Sequence, residues 1–147
     1  MFVSKIYDIE DCEYYSTTLY SSDVSLNIPV TSKNACTVEL DIIKSASNNG
    51  AFLMCGTDSN NYIGVGLMGR GYYGFILQHN NTRVTTQTDT NLINGTFHAV
   101  LTYDNGSITS VINNKTKIYT YTQPIDYILG TWCRNSGQIK NIKVKPL

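Results

Sequence analysis

The stretch Cys36-Thr37-Val38-Glu39-Leu40-Asp41-Ile42-Ile43 decides the fold class. Cys36, Val38, Leu40 and Ile42 take every second position, with Thr37, Glu39 and Asp41 between them. A period of two belongs to a strand with one buried and one wet face; a helix needs apolar residues three and four apart. Upstream, segment 12–20 is rich in Tyr and Thr, and Val24, Leu26 and Ile28 alternate up to Pro29, which has no N–H for a ladder. Downstream, Ser45 to Gly50 is a turn cluster. Segments 51–56, 61–68 and 72–79 follow, separated by Asp58-Ser59-Asn60-Asn61 and Gly69-Arg70-Gly71, as in a meander of hairpins. Segment 82–88 is polar and Thr-rich, which suits a sheet edge. Segments 96–103, 107–113, 116–121, 127–133 and 138–144 complete the set, with Asn113-Asn114 turning a second hairpin. About eleven or twelve short strands and no amphipathic helix predict an all-β, two-sheet antiparallel sandwich over residues 1–147.

Composition agrees. The chain has 11 Tyr and 17 Thr but only 3 Glu and 4 Ala, which favours a pleated surface over helices. Its 11 Lys plus Arg balance 11 Asp plus Glu. A neutral chain lacks the basic face that displaces counterions from nucleic acid or holds an anionic membrane. No run approaches the roughly 20 apolar residues of a membrane span. Met1-Phe2-Val3-Ser4-Lys5 does not open a signal peptide, so the chain is expected to be cytosolic, cut from a longer protein, or released without an N-terminal mark, as by virion assembly and lysis. Cys12, Cys36, Cys55 and Cys133 are too far apart for a zinc knuckle and read as small buried hydrophobes; cross-strand disulfides are the alternative. The four N-x-[ST] sequons, at Asn80, Asn94, Asn105 and Asn114, are close to the about three that 15 Asn and 29 Ser plus Thr would produce by chance.

Asn94-Gly95-Thr96-Phe97-His98-Ala99-Val100-Leu101-Thr102-Tyr103-Asp104-Asn105-Gly106 resembles the central signature of laminin-G-like domains, a branch of the concanavalin-A-like jelly rolls. Cys36 to Lys44 resembles that family's first long core strand, and Gly137-x-Ile139-x-x-Ile142-x-Val144 its closing strand. The likeness spans about residues 24–145. It departs where the family usually has Trp and this chain has Thr96, with Phe97 beside it. A narrower resemblance joins Tyr7 to Tyr15 and Ile139 to Leu147 to C-terminal modules of tail and adsorption proteins of viruses and proviruses of methanogenic archaea. It implies a virion-surface or extracellular module facing a host-cell glycan or glycoprotein, trimeric if it tips a fibre.

The sharpest enzymatic pattern is Glu39-x-Asp41-x-x-Lys44. Many jelly-roll β-glucanases carry Glu-x-Asp-x-x-Glu, and a retaining glycosidase needs two carboxyl groups about 5–5.5 Å apart. Lys44 stands where the third carboxylate is expected and cannot replace it as acid. No GxSxG elbow, HExxH helix or P-loop occurs, so the chain reads as non-catalytic. Aromatics are dense at Tyr62, Tyr72, Tyr73, Tyr119, Tyr121, Tyr127 and Trp132. A flat ring can stack on the C–H face of a sugar while nearby polar groups bond its hydroxyls. Tyr62, Arg70, Tyr72, Tyr73, Gln78, His79 and Arg83 form the candidate glycan site; Trp132 reads as core. Jelly-roll relatives often hold a rim calcium, for which Asp58, Asp89 and Asp104 would be candidates, but turn formation explains these residues and no cofactor is required. The resulting function is a glycan- or receptor-binding module. A structural or oligomerising fibre module is the alternative, and a glycoside hydrolase a remote third.

Overall fold

The computed structural model describes residues 11–44, 50–67, 73–80, 82–89, 95–112 and 114–147. Among them are twelve strands and no helix: β1 (Tyr14–Ser16), β2 (Val24–Pro29), β3 (Ala35–Lys44), β4 (Gly50–Asp58), β5 (Asn61–Leu67), β6 (Tyr73–His79), β7 (Thr82–Asp89), β8 (Gly95–Asp104), β9 (Ser107–Ile112), β10 (Lys115–Thr120), β11 (Tyr127–Arg134) and β12 (Gln138–Pro146). Every pairing is antiparallel. The first sheet runs β1-β12-β3-β8-β9-β10 and the second β2-β11-β4-β5-β6-β7. The expected meander is β4 to β7, and the polar strand β7 is the outermost of its sheet.

The alternation in β3 works as the sequence predicts. Cys36, Val38, Leu40 and Ile42 are fully buried and meet Leu53, Cys55, Ile63 and Val65 of the second sheet in one core. On β8 the inward residues are Phe97, Ala99, Leu101 and Tyr103, so the aromatic that the Trp-to-Thr96 departure displaced enters the core from Phe97. The segment 121–126 crosses from β10 to β11 and seals one end of the core with Tyr121 and Ile125. It is tied down where Tyr121 N–H donates to Gly106 O (2.9 Å), Ile125 N–H to Lys33 O (2.9 Å) and the Tyr103 hydroxyl to Gln123 O (2.6 Å). Glu13 anchors the chain beside Lys33, which holds that segment. Its carboxylate accepts Thr31 N–H (2.7 Å), Ser32 N–H (3.2 Å) and the Ser32 hydroxyl, joining the β1 side to the β2–β3 turn.

The Asn-rich composition has a backbone cause. Asn27, Asn80, Asn105, Asn114, Asn135 and Asn141 all adopt left-handed φ between 45° and 64°, a region that Asn tolerates better than other side-chain-bearing residues. Three of the sequon asparagines are among them, each at a hairpin turn; Asn94 lies outside the described residues. All four cysteines are free thiols, three of them buried. Burial pushes Cys36 up to about 12 and Cys133 up to about 11.

Candidate functional site

The outer face of the second sheet carries a trough over β2, β11 and β4, and a β-bulge in β11 makes it. Ile128 pairs with Cys55 and Gly130 with Met54, leaving Leu129 as the extra residue. Strict alternation would put Tyr127 and Trp132, five apart, on opposite faces. The extra residue restores them to one face, which is how bulges re-aim side chains. Gly130 is required there, because a Cβ would stand 2.3 Å from Val24 O of the neighbouring edge strand. Thr131 fixes that edge: its buried hydroxyl donates to Ser22 O (2.8 Å) and accepts Val24 N–H (3.0 Å).

One cavity of about 560 Å³ is lined by Ser25, Asn27, Met54, Asp58, Tyr127 and Leu129, among others. A second, of about 350 Å³, shares Ser25, Met54 and Leu129 and continues to Asp23 and Trp132. Met54 and Leu129 are an apolar floor; Ser25, Asn27 and Ser59 give an uncharged polar rim. Tyr127 is 39% exposed. Trp132 is held differently. Phe52 of β4 stacks on it at 4.7 Å, and the Arg134 guanidinium lies over the ring at 4.5 Å. Arg134 also donates to Asp23 Oδ1 (2.6 Å), on the β2 side, so the ring lies between Phe52 and Arg134 and presents its edge. The Arg134 hydrogen bond, with that from Cys133 N–H, holds the Asp23 carboxyl below its ordinary value. Trp132 is therefore on the outer face, not in the core as its sequence setting suggested. Tyr127, Met54, Leu129, Ser25 and Asn27 were not singled out as site residues. The signal for Ser25 and Asn27 is their alternation with Val24, Leu26 and Ile28, and for Met54 its place between the inward Leu53 and Cys55; that for Tyr127 and Leu129 on β11 is readable only once the bulge is known.

The candidate glycan residues divide. Register puts Tyr62, Gln78 and Arg83 on one rung of the second sheet, continuing through Gly56 to Tyr127 and Pro29. Tyr62 is only 4% exposed and has no open face for stacking. His79 leaves this rung: its Nδ1 lies 3.1 Å from Asn61 Oδ1 and its ring meets the core residue Tyr121 edge-on at 6.0 Å. Tyr73 pairs with Leu67 on a different rung, and Arg70 and Tyr72 lie outside the described residues. Asp58 Oδ1 accepts Asn60 N–H (2.8 Å), and Asp104 Oδ1 accepts from the Asn105 side chain (3.0 Å), both within turns; Asp89 ends β7. Among the described residues no group of three or more His, Cys, Asp or Glu is arranged to hold a metal ion.

Glu39 and Asp41 share the outer face of the first sheet, while Lys44, at even parity, is buried. An imidazole stands between the two carboxylates: His98 Nδ1 is 2.8 Å from Asp41 Oδ1 and Nε2 3.8 Å from Glu39 Oε2. Asn141, at the bulge of β12, donates to Asp41 Oδ2 (2.8 Å), and Lys143 Nζ lies 3.9 Å from Glu39. Burial raises the Asp41 carboxyl, but the hydrogen bonds from Asn141 and His98 outweigh it and leave it below the ordinary value.

No family model matches the chain, and no curated protein matches it. Solved structures do. The galectin LEC-6 of Caenorhabditis elegans superposes with a TM-score of 0.58 at 11% identity, over 86% of this chain and 95% of that one. The carbohydrate-binding module CBM66 from Bacillus subtilis gives 0.61 at 13%, over 90% and 91%. A GH43 protein from Bacillus licheniformis gives 0.59 at 8%, over 78% of this chain and 28% of that one. The fold is thus the jelly-roll, concanavalin-A-like sandwich that the resemblance implied.

Proposed function

We propose that the chain is a non-catalytic glycan-binding module whose binding surface is the outer face of the second sheet. The observation that carries this is the trough itself. Tyr127 walls an apolar Met54–Leu129 floor beneath a polar rim of Ser25, Asn27 and Ser59, with Asp58 at one end. An apolar floor suits the C–H face of a pyranose, and neutral amide and hydroxyl groups suit its ring hydroxyls. Similarity in fold to a protein named as a carbohydrate-binding module and to a galectin supports the reading. The non-catalytic part rests on the other face, where His98 and Asn141 occupy the Asp41 carboxylate and Lys44 is buried. The resemblance of the chain ends to tail and adsorption modules makes a host-surface glycan or glycoprotein the proposed target.

The test is a glycan array probed with the full chain, followed by titration of the hits. Tyr127→Ala is expected to weaken binding about tenfold, or ~1.4 kcal/mol, by removing the ring, at unchanged melting temperature. An array that stays silent at high protein concentration refutes the reading. A second reading, self-association at a sheet edge, has one observation in its favour: Ile118 is 70% exposed on β10, the outermost strand of the first sheet. A monomeric mass in solution would exclude it.

A further inference from the structure

The two cavities share Ser25, Met54 and Leu129, so they form one trough lying along β11. Trp132 pairs with Phe52 at one end and Tyr127 with Gly56 at the other. Four strand steps separate those rungs on β4, about 13 Å, and the trough runs on past Tyr127 to Asp58 and Ser59. The apolar floor continues between the rings. Charge appears only at the ends. Asp23 is matched by Arg134, and Asp58 accepts hydrogen bonds from its own turn.

We infer that the trough takes an internal stretch of a neutral polysaccharide, laid parallel to β11 with about three consecutive sugar rings in contact, and not a single terminal sugar. The inference rests on the glycan-binding reading and names the class of glycan. A single ring would cover only part of the floor and leave either the Tyr127 end or the Trp132 end hydrated. Each further ring removes more apolar surface from water, until the trough is full. Neutrality follows from the ends. A carboxylate-bearing sugar would be repelled by Asp58, and at the other end it would have to compete with Asp23 for Arg134.

The experiment is calorimetric titration of the full chain with cello-, xylo-, manno-, chito- and malto-oligosaccharides from mono- to hexasaccharide, and with oligogalacturonates as the acidic series. On the series that binds, affinity is expected to rise at least tenfold from mono- to tetrasaccharide and then level off. Ser25→Arg places a long side chain at an exposed residue common to both cavities. It is expected to bring tetrasaccharide affinity down to that of the disaccharide at unchanged melting temperature. Equal affinity at every length, a tetrasaccharide unaffected by Ser25→Arg, or tighter binding of the acidic series overturns this inference and leaves the glycan reading standing. Silence on every series overturns it also, and silence on the array as well removes both.

Discussion

Replacing Thr131 by Val tests what holds the bulged edge of the trough in place. Thr131 is 1% exposed and sits opposite Leu53, so its methyl packs in the core while its hydroxyl bridges Ser22 O and Val24 N–H. Val keeps the volume and β-branching but leaves a backbone donor and a backbone acceptor without their partner. An orphaned buried polar group costs about 1–3 kcal/mol. Both groups here are part-buried, so the lower end of that range, about 1 kcal/mol, applies to each, giving about 2 kcal/mol in all. At about 2–4 °C per kcal/mol for a domain of this size, the melting temperature should fall by about 4–8 °C. Thr131→Ser keeps the hydroxyl and loses one methyl, a cost of about 1 kcal/mol. Calorimetric or urea unfolding of the three proteins should therefore rank Thr above Ser above Val. Amide exchange at Val24 should speed up in the Val variant alone. If the Val protein melts at or above the parent, position 131 behaves as an ordinary apolar core site, and the hydrogen-bond account of the edge is refuted.

The remaining predictions concern the same elements. Gly130→Ala drives a Cβ to 2.3 Å from Val24 O; it should unseat β2, lower the melting temperature by more than Thr131→Val and abolish binding in the trough, whereas a near-parental melting curve would show that the bulge relaxes freely. Trp132 is the single tryptophan, so Arg134→Ala, which uncovers one of its faces, should raise acrylamide quenching of the protein's Trp fluorescence; unchanged quenching would contradict the sandwiched geometry. Asp23 and Asp41 both have native carboxyls below the ordinary 3.8. Their stabilisation is therefore present above that pH and is lost as pH falls through the lower native values. Asp41→Asn should be less stable near neutrality and show a flatter decline of melting temperature with acid below pH ~3.8; parallel curves would rule the linkage out. Cys36 and Cys55, both fully buried with thiols raised by desolvation, should resist alkylation in the folded protein and react in denaturant; rapid native labelling at either would argue against their place in the core.

Much of the architecture was legible because each strand advertises itself locally. The alternation of β3, the Gly and Asn punctuation of β4 to β7 and the polar edge β7 all follow from a two-residue period meeting one buried face. The parity argument also separates Glu39 and Asp41 from Lys44, since β3 and β8 stay in unbroken register over the whole strand. The site was less legible. Tyr62, Gln78 and Arg83 do fall on one rung, but reading them together from nearness in sequence also gathered His79, which alternation turns toward Tyr121. Trp132 sits beside Cys133 and Thr131, both inward, and that neighbourhood made it look like core.

Local pattern by itself determined that this chain pairs into two antiparallel sheets, which faces of the regular strands are buried, and that Lys44 stands where jelly-roll glucanases carry a third carboxylate. Tertiary structure alone decided where the trough lies. A single extra residue at Leu129 reverses parity along β11, and whether it bulges depends on Gly130 meeting the carbonyl of Val24, more than a hundred residues away in the chain. Periodicity carries information over a few residues; the close approach of two distant backbones is set only when the sheets assemble.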